Sequence, residues 1–155
     1  MPNILVTGAF GQIGSELTPA LQQRYGAERI IVSDIRMVPL HARGHERVPQ
    51  RNYEQVDCTQ PQQIIDVVRR RDVDTIFHLA ALLSAVAEER PHLAWSINMN
   101  GLYNVLEAAR QSRCRVFFPS SIGAFGPSTP RDHTPQVTIQ RPTPMYGVTK
   151  VAGEL

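Results

Sequence analysis

The chain is poor in cysteine, in aromatic residues and above all in lysine, and each scarcity removes a class of explanation. The two cysteines among 155 residues, Cys58 and Cys114, form no Cys-x-x-Cys pair. Neither a disulfide framework nor a metal site is expected, and a reduced, cytoplasmic setting is the default. No secretory signal peptide is recognised. Met1-Pro2-Asn3 leads straight into Ile4-Leu5-Val6, an apolar run far short of the roughly 18 residues of a membrane span, so no membrane partner is expected. Charge of one sign is also missing: 16 basic residues face 14 acidic ones, and no basic stripe is interleaved with aromatics. Nucleic acid is therefore not an expected partner. The densest basic run, Arg69-Arg70-Arg71, closes a helical pattern, where cations favour the helix dipole, and reads as a solvated helix end.

What is present fits one compact α/β domain. A hydrophobic content of 42% over 155 residues provides a real core and leaves no room for two domains. Ile4-Leu5-Val6 is a β-prone run ending at a glycine-rich turn. From Gln12 to Tyr25, Ile13, Leu17 and Leu21 then recur at helical spacing, which predicts an amphipathic helix with these three on its inner face. Ile30 to Asp34 supplies the next strand, within the span of one βαβ crossover. Residues 36–51, rich in Pro, His and Arg, lose all periodicity and read as a surface loop.

Glu54 to Asp57 predicts a short strand, followed by a helix with Thr59 as N-cap, Pro61 just inside, and Ile64, Ile65, Val67 and Val68 inward. Strands over Thr75–Leu79 and Arg115–Pro119 flank a long helix from Leu93 to Ala109. A last helix starts near Pro144 and still runs at Leu155. Alternation of this kind predicts a Rossmann-type, doubly wound parallel sheet with helices on both faces and ligands at the carboxyl ends of the strands. Because the pattern stops inside a helix, the chain is expected to be a C-terminally incomplete piece of a longer protein.

Two motifs carry chemistry. Gly8-Ala9-Phe10-Gly11-Gln12-Ile13-Gly14 is a G-x-x-G-x-x-G turn between the first strand and first helix. Glycines there permit a sharp turn and close approach to a pyrophosphate, which the helix N-terminus attracts. Asp34, at the end of the second strand, is placed to accept hydrogen bonds from both adenosine ribose hydroxyls and to repel a 2′-phosphate, which favours NAD. Arg36 is the nearby feature that favours NADP. Asp57 either accepts from the adenine amino group or serves as a helix-entry carboxylate beside Thr59.

The second motif is Tyr146-Gly147-Val148-Thr149-Lys150, in which spacing of four puts Tyr and Lys on one helix face. A phenol is a poor base at neutral pH, and a neighbouring ammonium favours its ionised form. Lys150 is the chain's one lysine, the other 15 basic residues being arginine, and it falls where that chemistry needs it. Ser120 and Ser121 close the fifth strand, where a hydroxyl can hold a substrate oxygen for proton transfer to Tyr146. Asn98 is an unfavourable helix-interior residue and is expected to have a specific partner, either water or backbone near the lysine. His78 reads as a packed strand residue.

Together the glycine turn, His78-Leu79-Ala80-Ala81, the helix from Asn98, Ser120-Ser121 and the Tyr146–Lys150 pair resemble the extended short-chain dehydrogenases, the NAD-dependent epimerase/dehydratase family, over essentially the whole chain. Residues 80–95 and 118–136 are similar to the branch that oxidises L-threonine at C3. The resemblance implies NAD as cofactor, with Gly8, Phe10, Gly11, Gln12, Ile13, Gly14, Asp34, Arg36, Asp57, Leu79, Ala80, Ala81, Asn98, Tyr146 and Lys150 in contact with it. It also implies a small-molecule substrate, L-threonine, held between Ser121 and Tyr146 with Ser84 and Ser120 nearby. Tyr146 would act as base, Lys150 would hold the nicotinamide ribose, and Asn98 would support a relay water. Family members continue into a small substrate domain and pair as homodimers through the long helix and the Tyr146 helix. Two other readings stand beside this one: a nucleotide-sugar epimerase or dehydratase using the same Ser, Tyr and Lys, and a non-catalytic NAD-sensing module, which has no need of Tyr146 and Lys150.

Overall fold

The computed structural model describes residues 2–37 and 52–155. Most of the loop expected over 36–51 lies outside the described residues. Five parallel strands form one sheet: β1 (Ile4–Thr7), β2 (Ile30–Asp34), β3 (Tyr53–Gln55), β4 (Thr75–His78) and β5 (Arg115–Phe117), in the order β3-β2-β1-β4-β5. All residues of β1 and β2 are buried, as expected where helices cover both sides of a parallel sheet. Thr7 is in register with both Ser33 and His78. Strands β1, β2 and β4 therefore end at one level, and the strand order reverses beside β1, leaving the crevice where doubly wound sheets bind ligands.

One face of the sheet, through Leu5, Ile31 and Ile76, packs on α2 (Pro61–Arg70) and α5 (Gly101–Ser112) by way of Ile64, Val67, Val68, Val105 and Ala108. Each such large aliphatic side chain contributes about 1.5–3 kcal/mol by leaving water. The opposite face, through Ile4, Val6, Ile30 and Val32, packs on α1 (Gln12–Tyr25) through Leu21. The buried residues of α1 are Gly14, Thr18 and Leu21, while Ile13 is 58% exposed. The inner face is thus turned by one residue from the Ile13, Leu17, Leu21 stripe. The cause is Gly14, where an added Cβ would lie 2.6 Å from the carbonyl oxygens of Gly8 and Ala9, so helix and turn meet backbone to backbone.

Other boundaries shift for local reasons. The third strand is Tyr53–Gln55, and β4 and β5 end one and two residues earlier than expected, at His78 and Phe117. Gln60, not Thr59, precedes α2, because the Thr59 amide and hydroxyl both donate to Asp57 Oδ1, at 2.9 and 2.8 Å. Arg70 and Arg71 are not simply solvated: they donate to the two carboxylate oxygens of Glu54, at 2.8 and 2.7 Å, tying α2 to β3. The long helix is present but composite. A short α4 (Pro91–Trp95) passes through a π turn at Ser96–Asn100 into α5. A further helix, α3 (Ser84–Glu89), precedes it, and α6 (Met145–Glu154) carries the Tyr-x-x-x-Lys motif. Among the described residues no helix is long and apolar enough to cross a membrane, and no cluster of His, Cys, Asp and Glu is arranged to hold a metal ion.

Candidate active site

The strand ends open onto a cleft of about 220 Å³ lined by Thr7, Gly8 and Gly11, by Asp34 to Arg36, by Val56 to Cys58, and by Leu79 to Leu82 with Ile97. Its floor is the glycine turn. Gly8 has φ +67°, and a Cβ there would lie 2.6 Å from the Ala80 amide nitrogen, so a side chain is excluded by both conformation and contact. No side chain caps the start of α1 and its first turn holds no acidic residue. The first amides of α1 therefore have no side-chain cap, and the positive end of the helix dipole lies behind them.

Asp34 closes one end of the cleft. Its carboxylate accepts from the Phe10 amide (3.0 Å), from the Arg36 amide (3.1 Å) and from Arg36 Nε and Nη2 (2.9 and 3.1 Å). Burial disfavours its charge, but these hydrogen bonds and the Arg36 guanidinium outweigh that cost and hold the carboxyl below its ordinary range. Arg36, expected to favour a 2′-phosphate, is instead folded back over Asp34 and the Phe10 ring. Asp57 is the helix-entry carboxylate that holds Thr59, and it also lines the cleft. The observed features fit a dinucleotide. An uncapped helix start suits the pyrophosphate, and a carboxylate at the end of β2 suits an adenosine ribose with two free hydroxyls.

The serines, the tyrosine and the lysine singled out by the sequence lie around the end of β5 and the start of α6. Ser121 Oγ accepts from the Gly123 amide at 3.1 Å and caps a single helical turn, Ile122–Ala124. A Cβ built on Gly123 would lie 3.4 Å from both Ser121 Oγ and Tyr146 Cδ1, so the two side chains flank the same glycine. Gly147 permits this, since its own Cβ would meet the Gly123 carbonyl oxygen at 2.1 Å. Ser120 donates to Glu154. Ser84 is exposed at the start of α3 and does not line the cleft.

Lys150 is 5% exposed. Its ammonium donates to the Pro119 carbonyl at 2.8 Å and lies 4.4 Å from the Phe118 ring and 5.6 Å from the Tyr146 ring. Burial pushes its pKa down, with Glu154 partly opposing. His78 is fully enclosed, its Nδ1 2.8 Å from Thr7 Oγ1. Burial, aided by the Lys150 charge, lowers its pKa to about 4. It is a neutral packed residue, as its strand position implies.

Asn98 has specific partners, two of them backbone: Oδ1 accepts from the Leu82 amide at 2.7 Å, while Nδ2 donates to the Leu82 carbonyl and to the Thr149 hydroxyl, each at 3.1 Å. Thr7, Ile35, Val56, Cys58, Leu82 and Ile97 line the cleft although no motif in the sequence singles them out. They are wall residues, and for Ile35, Val56, Cys58 and Leu82 the one sequence signal is position shortly after a strand; Thr7 ends β1 and Ile97 lies in the π turn.

Residues 4–155 match the model of the NAD dependent epimerase/dehydratase family. The chain is 50% identical over its whole length to an uncharacterized epimerase/dehydratase of Staphylococcus epidermidis, of which it covers 48%. An L-threonine dehydrogenase from Clostridium difficile superposes with TM-score 0.91 and 50% identity over 99% of this chain and 47% of that one. A UDP-glucose 4-epimerase of Thermus thermophilus, solved with NAD, gives TM-score 0.77 and 29% identity over 97% of this chain and 48% of that one. The chain thus spans about half the length of the relatives it matches. With a glycine turn, an acidic β2 end and a Tyr-x-x-x-Lys helix on a five-stranded parallel sheet, it belongs to the NAD-dependent epimerase/dehydratase family and is built to use NAD.

Proposed function

We propose that the protein oxidises L-threonine at its C3 hydroxyl to 2-amino-3-oxobutanoate. The observation that carries the chemistry is the placement of Ser121 and Tyr146 on either side of Gly123, with the Lys150 ammonium 5.6 Å from the phenol ring. Ser121 holds the substrate oxygen, and Tyr146 accepts its proton. Lys150 supplies positive charge that stabilises negative charge developing on the tyrosine oxygen, and donates toward the nicotinamide ribose. Gly8, Gly11, Gly14 and Asp34 hold the pyrophosphate and the adenosine ribose. NAD bound there would supply the acceptor for the hydride that leaves C3. Threonine is favoured over other alcohols by the similarity of residues 80–95 and 118–136 to threonine-oxidising enzymes and by 50% identity to the C. difficile threonine dehydrogenase. Ser84, Ser120 and the water-relay role of Asn98 belong to the same reading, as does pairing of the complete protein into a homodimer.

A second reading, nucleotide-sugar epimerisation, draws on the same Ser, Tyr and Lys and on the 29% identity to the T. thermophilus epimerase. The full-length protein, supplied with NAD and either L-threonine or UDP-glucose, separates the two. Reduced nicotinamide accumulating with threonine supports oxidation. Conversion of UDP-glucose to UDP-galactose, with no threonine-dependent reduction, refutes it. Tyr146→Phe should lower turnover by about 10²- to 10⁴-fold while leaving NAD affinity, read by calorimetry, within about twofold of wild type.

A further inference from the structure

Between the cofactor cleft and the Tyr146 helix runs a buried polar chain. Leu82 lines the cleft, and both its amide and its carbonyl are taken by the Asn98 side chain. That pairing fixes the orientation of the Asn98 amide, because its oxygen must face the Leu82 N–H and its nitrogen the Leu82 carbonyl. The remaining N–H of Asn98 reaches Thr149 Oγ1 at 3.1 Å. Thr149 accepts there, so its own proton is directed to the Tyr146 carbonyl, 2.8 Å away. Every link has a donor and an acceptor, and the direction is set throughout: Asn98 to Thr149 to Tyr146.

The environment gives this chain weight. Asn98 and Thr149 are 5% and 1% exposed, and a buried donor left without a partner is costly. Asn98 also sits in the π turn Ser96–Asn100, an irregularity that departs from α-helical spacing and is frequent at functional positions. Thr149 lies between Tyr146 and Lys150 in sequence but faces neither the cleft nor the reacting side chains. Its hydroxyl is directed at backbone.

We propose that Thr149 is a positioning residue that couples occupancy of the cofactor cleft to the placement of the Tyr146 helix. A ligand that fixes the Leu82 wall of the cleft orders Asn98, and Asn98 orders α6 through the Thr149 hydroxyl. The coupling does not depend on which substrate is oxidised.

Amide hydrogen exchange with ADP as the probe tests this on the 155-residue chain. ADP fills the adenosine and diphosphate region and has no nicotinamide ribose to touch Tyr146 or Lys150, so protection gained in α6 is transmitted protection. In wild type, ADP should slow exchange at Gly11 to Gly14 and also at Val148 to Val151, the latter about fivefold or more, a usual size for coupled sites. Thr149→Ser, which keeps the hydroxyl, should retain the effect. Thr149→Val, which keeps the shape and lacks the hydroxyl, should protect the glycine turn while leaving α6 within about twofold of its ligand-free rate. Thr149→Ala serves as a second hydroxyl-free chain where Thr149→Val is too unstable to measure. Protection of the glycine turn without protection of α6 in wild type overturns the proposal, as does no protection anywhere, or α6 protection that survives loss of the hydroxyl. Because ADP supports no hydride transfer, these outcomes stand apart from any assay with threonine.

Discussion

Asp34 and His78 are both buried ionisable residues at strand ends, and their surroundings treat charge in opposite ways. Asp34 stays charged because Arg36 and two amides surround it, and its contribution to stability is present at neutral pH and lost as pH falls below the ordinary carboxylate range. His78 stays neutral. Its Nε2 has no hydrogen-bond partner among the described residues, and Lys150 repels added charge. The unfolded chain therefore takes up a proton near pH 6.5 that the fold refuses until about pH 4. Stability should fall with pH across that window by roughly 3 kcal/mol in total. Chemical denaturation at several pH values checks this: His78→Gln should flatten the slope relative to wild type, whereas parallel slopes would show that His78 does not titrate as described. Its burial was legible from its strand, and the Thr7 bond was not, since a hydroxyl 71 positions away becomes a neighbour only once β1 and β4 pair. Arg36 makes the same point. Sequence places a cation near a ribose site, but that it grips Asp34 depends on a turn whose geometry no periodicity encodes.

At the scale of elements, periodicity found what burial dictates and missed what backbone contact dictates. Gln12–Tyr25 and the inward face of α2 follow from apolar spacing, whereas the rotated inner face of α1 follows from Gly14 touching the turn. The π turn in the long helix has no propensity signal beyond an ill-placed Asn98. Gly101, just after that turn, shows how closely these elements meet: an added Cβ would sit 2.8 Å from Cys58 Sγ but 3.6 Å from Cys58 Cβ. Gly101→Ala should therefore destabilise by about 1–3 kcal/mol through overpacking, and Cys58→Ala in the same chain should recover much of that loss. Thermal or denaturant unfolding of the double-mutant cycle measures the recovery. Additive losses would mean that the clash is relieved elsewhere.

On the scale of the whole molecule, the sheet ends in two outer strands, β3 and β5, each paired on one side only among the described residues. β5 pairs with β4 on one side, and Phe117 is 48% exposed although it contacts Phe77 at a ring separation of 5.1 Å. A half-exposed aromatic on an edge strand invites self-association, and charge on an edge opposes it. Sedimentation of the 155-residue chain should show association that grows with concentration and weakens in Phe117→Lys. A monomer at every concentration would mean that the bare edge is harmless. The cofactor cleft is independent of this edge, because β1, β2, β3 and β4 build it. Calorimetric titration of the chain with NAD and with NADP therefore tests the reading of the cleft most directly. NAD should bind at least about tenfold tighter than NADP, with the ribose hydroxyls displacing Arg36 from Asp34, and Asp34→Ser should narrow that gap. NADP binding as tightly as NAD, or a gap unchanged in Asp34→Ser, would contradict the role given to Asp34, and binding of neither would contradict the cleft as a dinucleotide site in this chain.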